Sequence, residues 1–233
     1  MTRDSERPRA GRVDAASWVL AATILGSSMA FIDNSVVGVA LPVVQQALRA
    51  TVSAAQWVAE LNTLLLGTLI LLGGSLGDVL GRRRVFSWGV GLLAAGSLWA
   101  ALVPSMGQLI AARGVSGIGS ALLVPNSLAL IGATFDGPAR GRAVGTWSGL
   151  TSAVSALAPV LAGWLTEEVS WRAVFAINLP LAAAVLGIAW LRMTRDTAAE
   201  ERHTLDLPGA ALATLGLGGL VFGLIEGPVR GWG

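Results

Sequence analysis

Between Arg84 and Asp136 the sequence carries one charge, Arg113, in 51 residues. As a single helix that stretch would be about 76 Å long, against roughly 30 Å for the hydrocarbon core of a bilayer. It must therefore fold back, and Pro104-Ser105-Met106-Gly107 supplies the turn. The same patterning governs the rest of the chain. Seven of the 30 charges lie in residues 1–14 and seven in 192–206, which leaves 16 for the other 204 residues. Hydrophobic residues make up 54% of the chain, charged residues 13%, and the mean hydropathy is +0.68. Ordinary soluble domains are about 25% charged. Polar surface is too scarce to face water, and the expected fold class is all-α: a polytopic membrane helix bundle.

Charge-free runs long enough to cross a bilayer fall at about 17–40, 57–77, 86–104, 108–131, 143–166, 172–191 and 209–226. They divide the chain into a cytosolic N-terminal tail (1–15), a six-span bundle (16–191), a charged cytosolic loop (192–208) and a seventh span (209–233). The first run is too long for the apolar stretch of a signal peptide and reads as an uncleaved span. With the N-terminus inside, twelve arginines fall on the cytoplasmic side and three outside, while Arg113 lies within a span. That bias fits the positive-inside rule and predicts a multi-pass protein of the plasma (inner) membrane with a cytoplasmic N-terminus. Trp57, Trp164, Trp171 and Trp190 lie near span ends and are expected to anchor in the interface.

Several functions drop out on composition. There is no cysteine, and the single His203 cannot form a histidine metal cluster, so neither a metal nor a cofactor is expected. The pI near 10.8 comes from arginines dispersed among short loops with a net charge of only +2, which argues against nucleic acid as a partner. Gly114-Val115-Ser116-Gly117 spells the GxSG of rhomboid-like intramembrane proteases. A serine nucleophile needs a base beside it, however, and His203 lies in the charged loop. The glycines at 117 and 119 lack the strand–turn–helix setting of a nucleotide fingerprint. No enzyme is expected.

The charges inside the spans carry more information. Near a helix centre an Asp costs about 3 kcal/mol to insert, while the nine Val, Leu, Ile and Phe of the first span return roughly 4. Asp33 should therefore turn into the bundle or a wet cavity. Helical rise puts Asp33 about 7 Å and Arg113 about 10 Å outward of their span centres, at nearly one depth. Arg113, Ser116, Gly117, Ser120 and Ser127 share one face of the fourth span; Glu60, Thr63, Gly67, Gly74 and Asp78 form a stripe on the second. The expected site is a common interior with two carboxylates, Asp33 and Glu60, and one guanidinium, Arg113. Ser116, Gly117, Ser120 and Asn34 would line it. Burial favours a neutral acid and a nearby guanidinium favours the carboxylate, so moving the two apart and together could load and release a proton. The alternative is a permanent ion pair that fixes helix register.

Four segments then match a known pattern. Residues 74–84, Gly-Ser-Leu-Gly-Asp-Val-Leu-Gly-Arg-Arg-Arg, resemble the loop signature between spans two and three of the major facilitator superfamily. Leu109 through Ala121, with Arg113 and Gly117, resembles its fourth-span motif in proton-driven members. Asp33 through Pro42 is similar to the first-span motif of the fourteen-span drug:proton antiporters of EmrB/QacA type, and Trp171 through Pro180 to the start of their sixth span. The resemblance implies the six-helix N-terminal half of that fold plus a seventh span, exporting amphipathic or cationic compounds in exchange for protons. It assigns proton coupling to Asp33 and Arg113, and a cytoplasmic gate to the loop of Gly74, Asp78, Gly81, Arg82 and Arg83. Ala158-Pro159-Val160-Leu161-Ala162-Gly163 aligns with the antiporter motif of the fifth span, with alanine at two expected glycines, and Pro159 and Gly163 would form a hinge.

Val79, Gly38 and Asn62 depart from the pattern, standing where the family usually has a basic residue, Asn and Tyr. Gly145-xxx-Gly149 offers a general site for close helix contact. Family members have about twice as many spans, in two bundles that rock about a midplane site. The expected partners are the lipid bilayer, protons, a small-molecule substrate and a second, C-terminal bundle. The 233 residues are read as an incomplete transporter, with a non-transporting assembly role as the alternative.

Overall fold

The computed structural model describes residues 9–193 and 207–230. They form eight helices: α1 (Arg9–Ala47), α2 (Val52–Leu80), α3 (Arg82–Leu102), α4 (Met106–Thr134), α5 (Gly137–Glu168), α6 (Trp171–Ala176), α7 (Asn178–Arg192) and α8 (Leu207–Arg230). Six segments are long and apolar enough to cross a membrane, α6 and α7 together making the sixth, and α8 holds a shorter apolar stretch at Ala211–Gly227. The six-span bundle and the following helix expected from the sequence are present. The predicted tail and charged loop lie largely outside the described residues.

Most helices outrun the charge-free runs because backbone hydrogen bonding, which continues past the apolar stretch, sets their length. The α2 helix starts at Val52, where the Thr51 hydroxyl accepts a hydrogen bond from the Ala54 N–H at 3.2 Å. The α5 helix incorporates Arg140, Arg142, Glu167 and Glu168, which the hydropathy pattern left out. Conversely the sixth span breaks at Ile177. Pro180 has no N–H to offer the Ala176 carbonyl, and its ring crowds that carbonyl, so the helix restarts at Asn178.

At the centre of the bundle α4 lies against α2 and α3, and glycine makes the approach possible. A Cβ built on Gly73 would sit 2.0 Å from the Ala121 carbonyl oxygen, and one on Gly77 1.7 Å from Asn126 Oδ1. On the other side, Gly89 and Gly119 face each other so closely that a Cβ on either would meet the partner helix's backbone within 2.6 Å. Asn126 fastens the contact by donating to the Gly73 carbonyl at 2.8 Å. The expected close contact at Gly145 and Gly149 does not form among the described residues: both face open space. A small-xxx-small pair permits a helix to approach but does not choose the helix. Gly73→Ala is accordingly expected to destabilise the bundle by about 3 kcal/mol, the upper end of overpacking costs, because a backbone carbonyl cannot step aside. Gly145→Ala should leave the SDS-unfolding midpoint in micelles unchanged.

Two large apolar clusters fill the bundle, with a small third around Ile131, Ala143 and Trp147. One contains Ile32, Val36, Leu109, Ala112, Val174 and Phe175; the other contains Met29, Phe86, Leu93, Leu123 and Val185. On α3, α4 and the α6–α7 segment the chain passes from one to the other across a buried polar residue, Ser97, Arg113 and Asn178, and on α1 the change falls between Ala30 and Ile32, next to Asp33. Trp171, expected at the interface, is instead buried and packs edge-on against Phe175 at 6.3 Å. Trp164 and Trp190 are exposed as expected. Trp57 is partly covered by α8, where Glu226 accepts hydrogen bonds from the Trp57 indole at 3.2 Å and the Ser53 hydroxyl at 2.5 Å.

Candidate functional site

Five helices meet at Asp33. Arg113 on α4 pairs through Nη1 with Asp33 Oδ2, and both side chains are fully buried. Asn62 on α2 donates to the same oxygen at 2.9 Å. The other carboxylate oxygen receives Asn178 Nδ2 of α7 at 3.0 Å and, more distantly, the Ser97 hydroxyl of α3 at 3.5 Å. Asn178 Nδ2 also donates to Ser97 Oγ at 3.0 Å. Arg113 Nε donates to the Val58 carbonyl at 3.2 Å, while its Nη2 has no hydrogen-bond partner among the described residues. These polar groups lie at one level because each occupies the matching turn of its own helix.

The chemistry of this shell is specific. An ionised carboxylate only accepts hydrogen bonds, and here donors from four neighbouring helices converge on one. A protonated acid would instead need an acceptor. The Ser97 hydroxyl can rotate to become one, and Asn178 carries a buried Oδ1 with no partner among the described residues.

The sequence-derived site is rearranged in three respects. Glu60 does not join the interior: it is exposed on the outward face of α2, beside the exposed Thr63, whose hydroxyl donates to Asn34 at 3.2 Å. Two residues along a helix is about 200°, so the turn that points Asn62 at Asp33 points Glu60 away. Ser116, Gly117 and Ser120, expected to line the interior, lie inside the bundle. They are buried where α4 packs closely: a Cβ on Gly96 would lie 2.4 Å from Ser116 Oγ, and one on Gly117 3.0 Å from the Asn62 backbone. Small size, rather than polarity, is what those positions contribute. Finally Asn62, Ser97 and Asn178 were given no role from sequence, since single neutral polar residues do not stand out in a chain with many serines. Being polar within spans of otherwise low polarity was their only signal.

The α2–α3 junction is a one-residue turn. Gly81 ends α2 and begins α3 at φ 98°, ψ 125°, a left-handed backbone that side-chain-bearing residues rarely adopt, and its N–H donates to the Gly77 carbonyl. Asp78 pairs with Arg82 at 2.9 Å one helical turn on, both about one-third exposed. Arg82 Nη1 reaches the Ala129 carbonyl on α4 at 3.3 Å, and Arg83 Nη2 the Trp190 carbonyl on α7 at 3.3 Å. A Cβ on Gly74 would make only an ordinary contact with Pro125. On α5 the helix runs unbroken through Pro159, and Gly163 faces open space.

A multi-spanning helical bundle that buries an ion pair at the meeting point of five helices has the construction of a polytopic membrane protein, in which intramembrane charges face the bundle interior. Residues 23–229 match the Major Facilitator Superfamily, and the chain belongs to that family of transporters. It is 37% identical over 214 residues to the multidrug resistance protein Stp of Mycobacterium tuberculosis, an alignment covering 91% of this chain and 40% of Stp. It is 36% identical to the methylenomycin A resistance protein of Streptomyces coelicolor, covering 98% of this chain and 48% of that one. With the tetracenomycin C resistance and export protein of Streptomyces glaucescens it shares 35% identity, over 92% and 40%. The fold matches a crystal structure of the peptide transporter POT in complex with sulfate, with a TM-score of 0.70 at 17% identity over 94% of this chain and 47% of that one. The chain thus spans less than half the length of these relatives.

Proposed function

We propose that this bundle is the N-terminal half of a fourteen-span proton-coupled exporter of amphipathic or cationic small molecules, with its N-terminus in the cytoplasm. The observation that carries the reading is the Asp33–Arg113 pair with its donor shell, the one buried carboxylate–guanidinium pair among the described residues. Separation of α1 from α4 would strip Arg113 from Asp33 and favour proton uptake; their return would expel the proton. Kinship with drug-resistance and export proteins supports a small-molecule cargo.

The other assigned residues keep roles in this scheme. Asn34, Glu60 and Thr63 form a polar exposed patch, unsuited to lipid and suited to a watery path against a second bundle. The Asp78–Arg82 turn would gate the cytoplasmic side, and Pro159 with Gly163 would let α5 bend.

Reconstituted into proteoliposomes with a second bundle fused in frame, the protein should couple drug uptake to proton movement under an imposed pH gradient. Drug flux indifferent to that gradient would contradict the proposal. The 233-residue chain tested alone is expected to give no proton-coupled flux, because alternating access requires two bundles moving against each other.

A further inference from the structure

One cavity belongs neither to the ion pair nor to the exposed polar patch. It lies between the first turns of α3 and the last turns of α7, has a volume of about 870 Å³, and is lined by Gly81, Arg83, Arg84, Ser87, Trp88 and Trp190 among others. That size falls within the range of small-ligand sites. Among the described residues none of those lining it is acidic, and the neighbouring Asp78 is engaged by Arg82. No side chain caps the N-terminus of α3, so the positive end of a 21-residue helix opens here as well. Arg83 is held across the cleft by the Trp190 carbonyl, while Arg84 is exposed. Trp88 and Trp190, 53% and 75% exposed, flank the opening. Exposed indoles beside arginines mark the depth of lipid headgroups.

We infer that this cleft is a binding site for the headgroup of an anionic phospholipid from the surrounding leaflet, with the exposed Arg84 meeting the phosphate and Arg83 adding positive charge beside it. Basic pockets between spans at a membrane surface attract such headgroups. The two indoles would sit against the glycerol and upper acyl chains. A bound lipid would bridge α3 and α7, two of the helices that supply donors to Asp33.

The site is tested on the 233-residue chain in nanodiscs containing phosphatidylglycerol or phosphatidylcholine with acyl chains brominated near the headgroup. The fluorescence contribution of Trp88 and Trp190, isolated by Trp88→Phe and Trp190→Phe variants, reads occupancy. Brominated phosphatidylglycerol should quench that contribution at several-fold lower mole fraction than brominated phosphatidylcholine. Arg84→Gln, at an exposed position with little bearing on folding, should reduce the preference about fivefold, and Arg83→Gln at least as much. Equal quenching by the two lipids, an unchanged preference in Arg84→Gln, or full displacement by millimolar inorganic phosphate would each overturn the inference; the last would make the cleft a site for free phosphate.

Discussion

Asp33→Asn, placed in a protein carrying both bundles, should reduce proton-driven export to the level of empty vesicles while membrane insertion proceeds normally. Asparagine matches aspartate in size and can still accept from Asn62 or Asn178 through its own Oδ1. It cannot take up or release a proton, so the proposed link between the gradient and helix movement would be lost. Insertion should be undisturbed because an Asp near the centre of a span costs about 3 kcal/mol, more than its amide. Export assays in everted vesicles, with immunoblots for the inserted protein, separate the two effects. Normal efflux by the variant would remove Asp33 from the mechanism.

The second large effect is on stability. Arg113→Leu leaves a buried carboxylate without its counter-charge, and breaking such a pair from one side costs about 3–5 kcal/mol. The double change Asp33→Asn with Arg113→Leu should recover most of that loss, since replacing both charges together is often neutral. SDS-unfolding midpoints of the single and double variants in micelles check this. A single variant as stable as the starting protein would mean that the two groups are not paired in the membrane.

The Asp33–Arg113 pairing was legible in the sequence because lone charges in apolar spans can be placed by helical rise alone, and two at one depth on inward faces have few other partners. Its donor shell was not. Asn62 was visible only as an unusual residue at its position, and Ser97 and Asn178 only as polar interruptions, because which neutral side chains reach a carboxylate depends on helix rotations that sequence does not reveal. The same limit misplaced Glu60. Stripe arithmetic grouped it correctly with Thr63 but could not tell that the opposite face, bearing Asn62, turns inward. Glycine spacing behaved likewise: Gly73 and Gly77 meet α4 while Gly145 and Gly149 meet nothing, and the partner rather than the motif makes the difference. The break at Ile177 follows from Pro180, a local rule. The start of α2 followed capping by Thr51, also a local rule, but hydropathy concealed it.

The proton-coupling role of Asp33 is distinguished from a permanent structural ion pair by isotope-edited infrared difference spectroscopy on a reconstituted two-bundle protein, with Asp33→Asn as the reference. Driving the transporter through its cycle with substrate and a pH gradient is expected to exchange an Asp33-dependent carboxylate band for a protonated carbonyl band, and to reverse it. An Asp33 carboxylate band that stays constant throughout the cycle would contradict that role and leave the pair as a fixed strut.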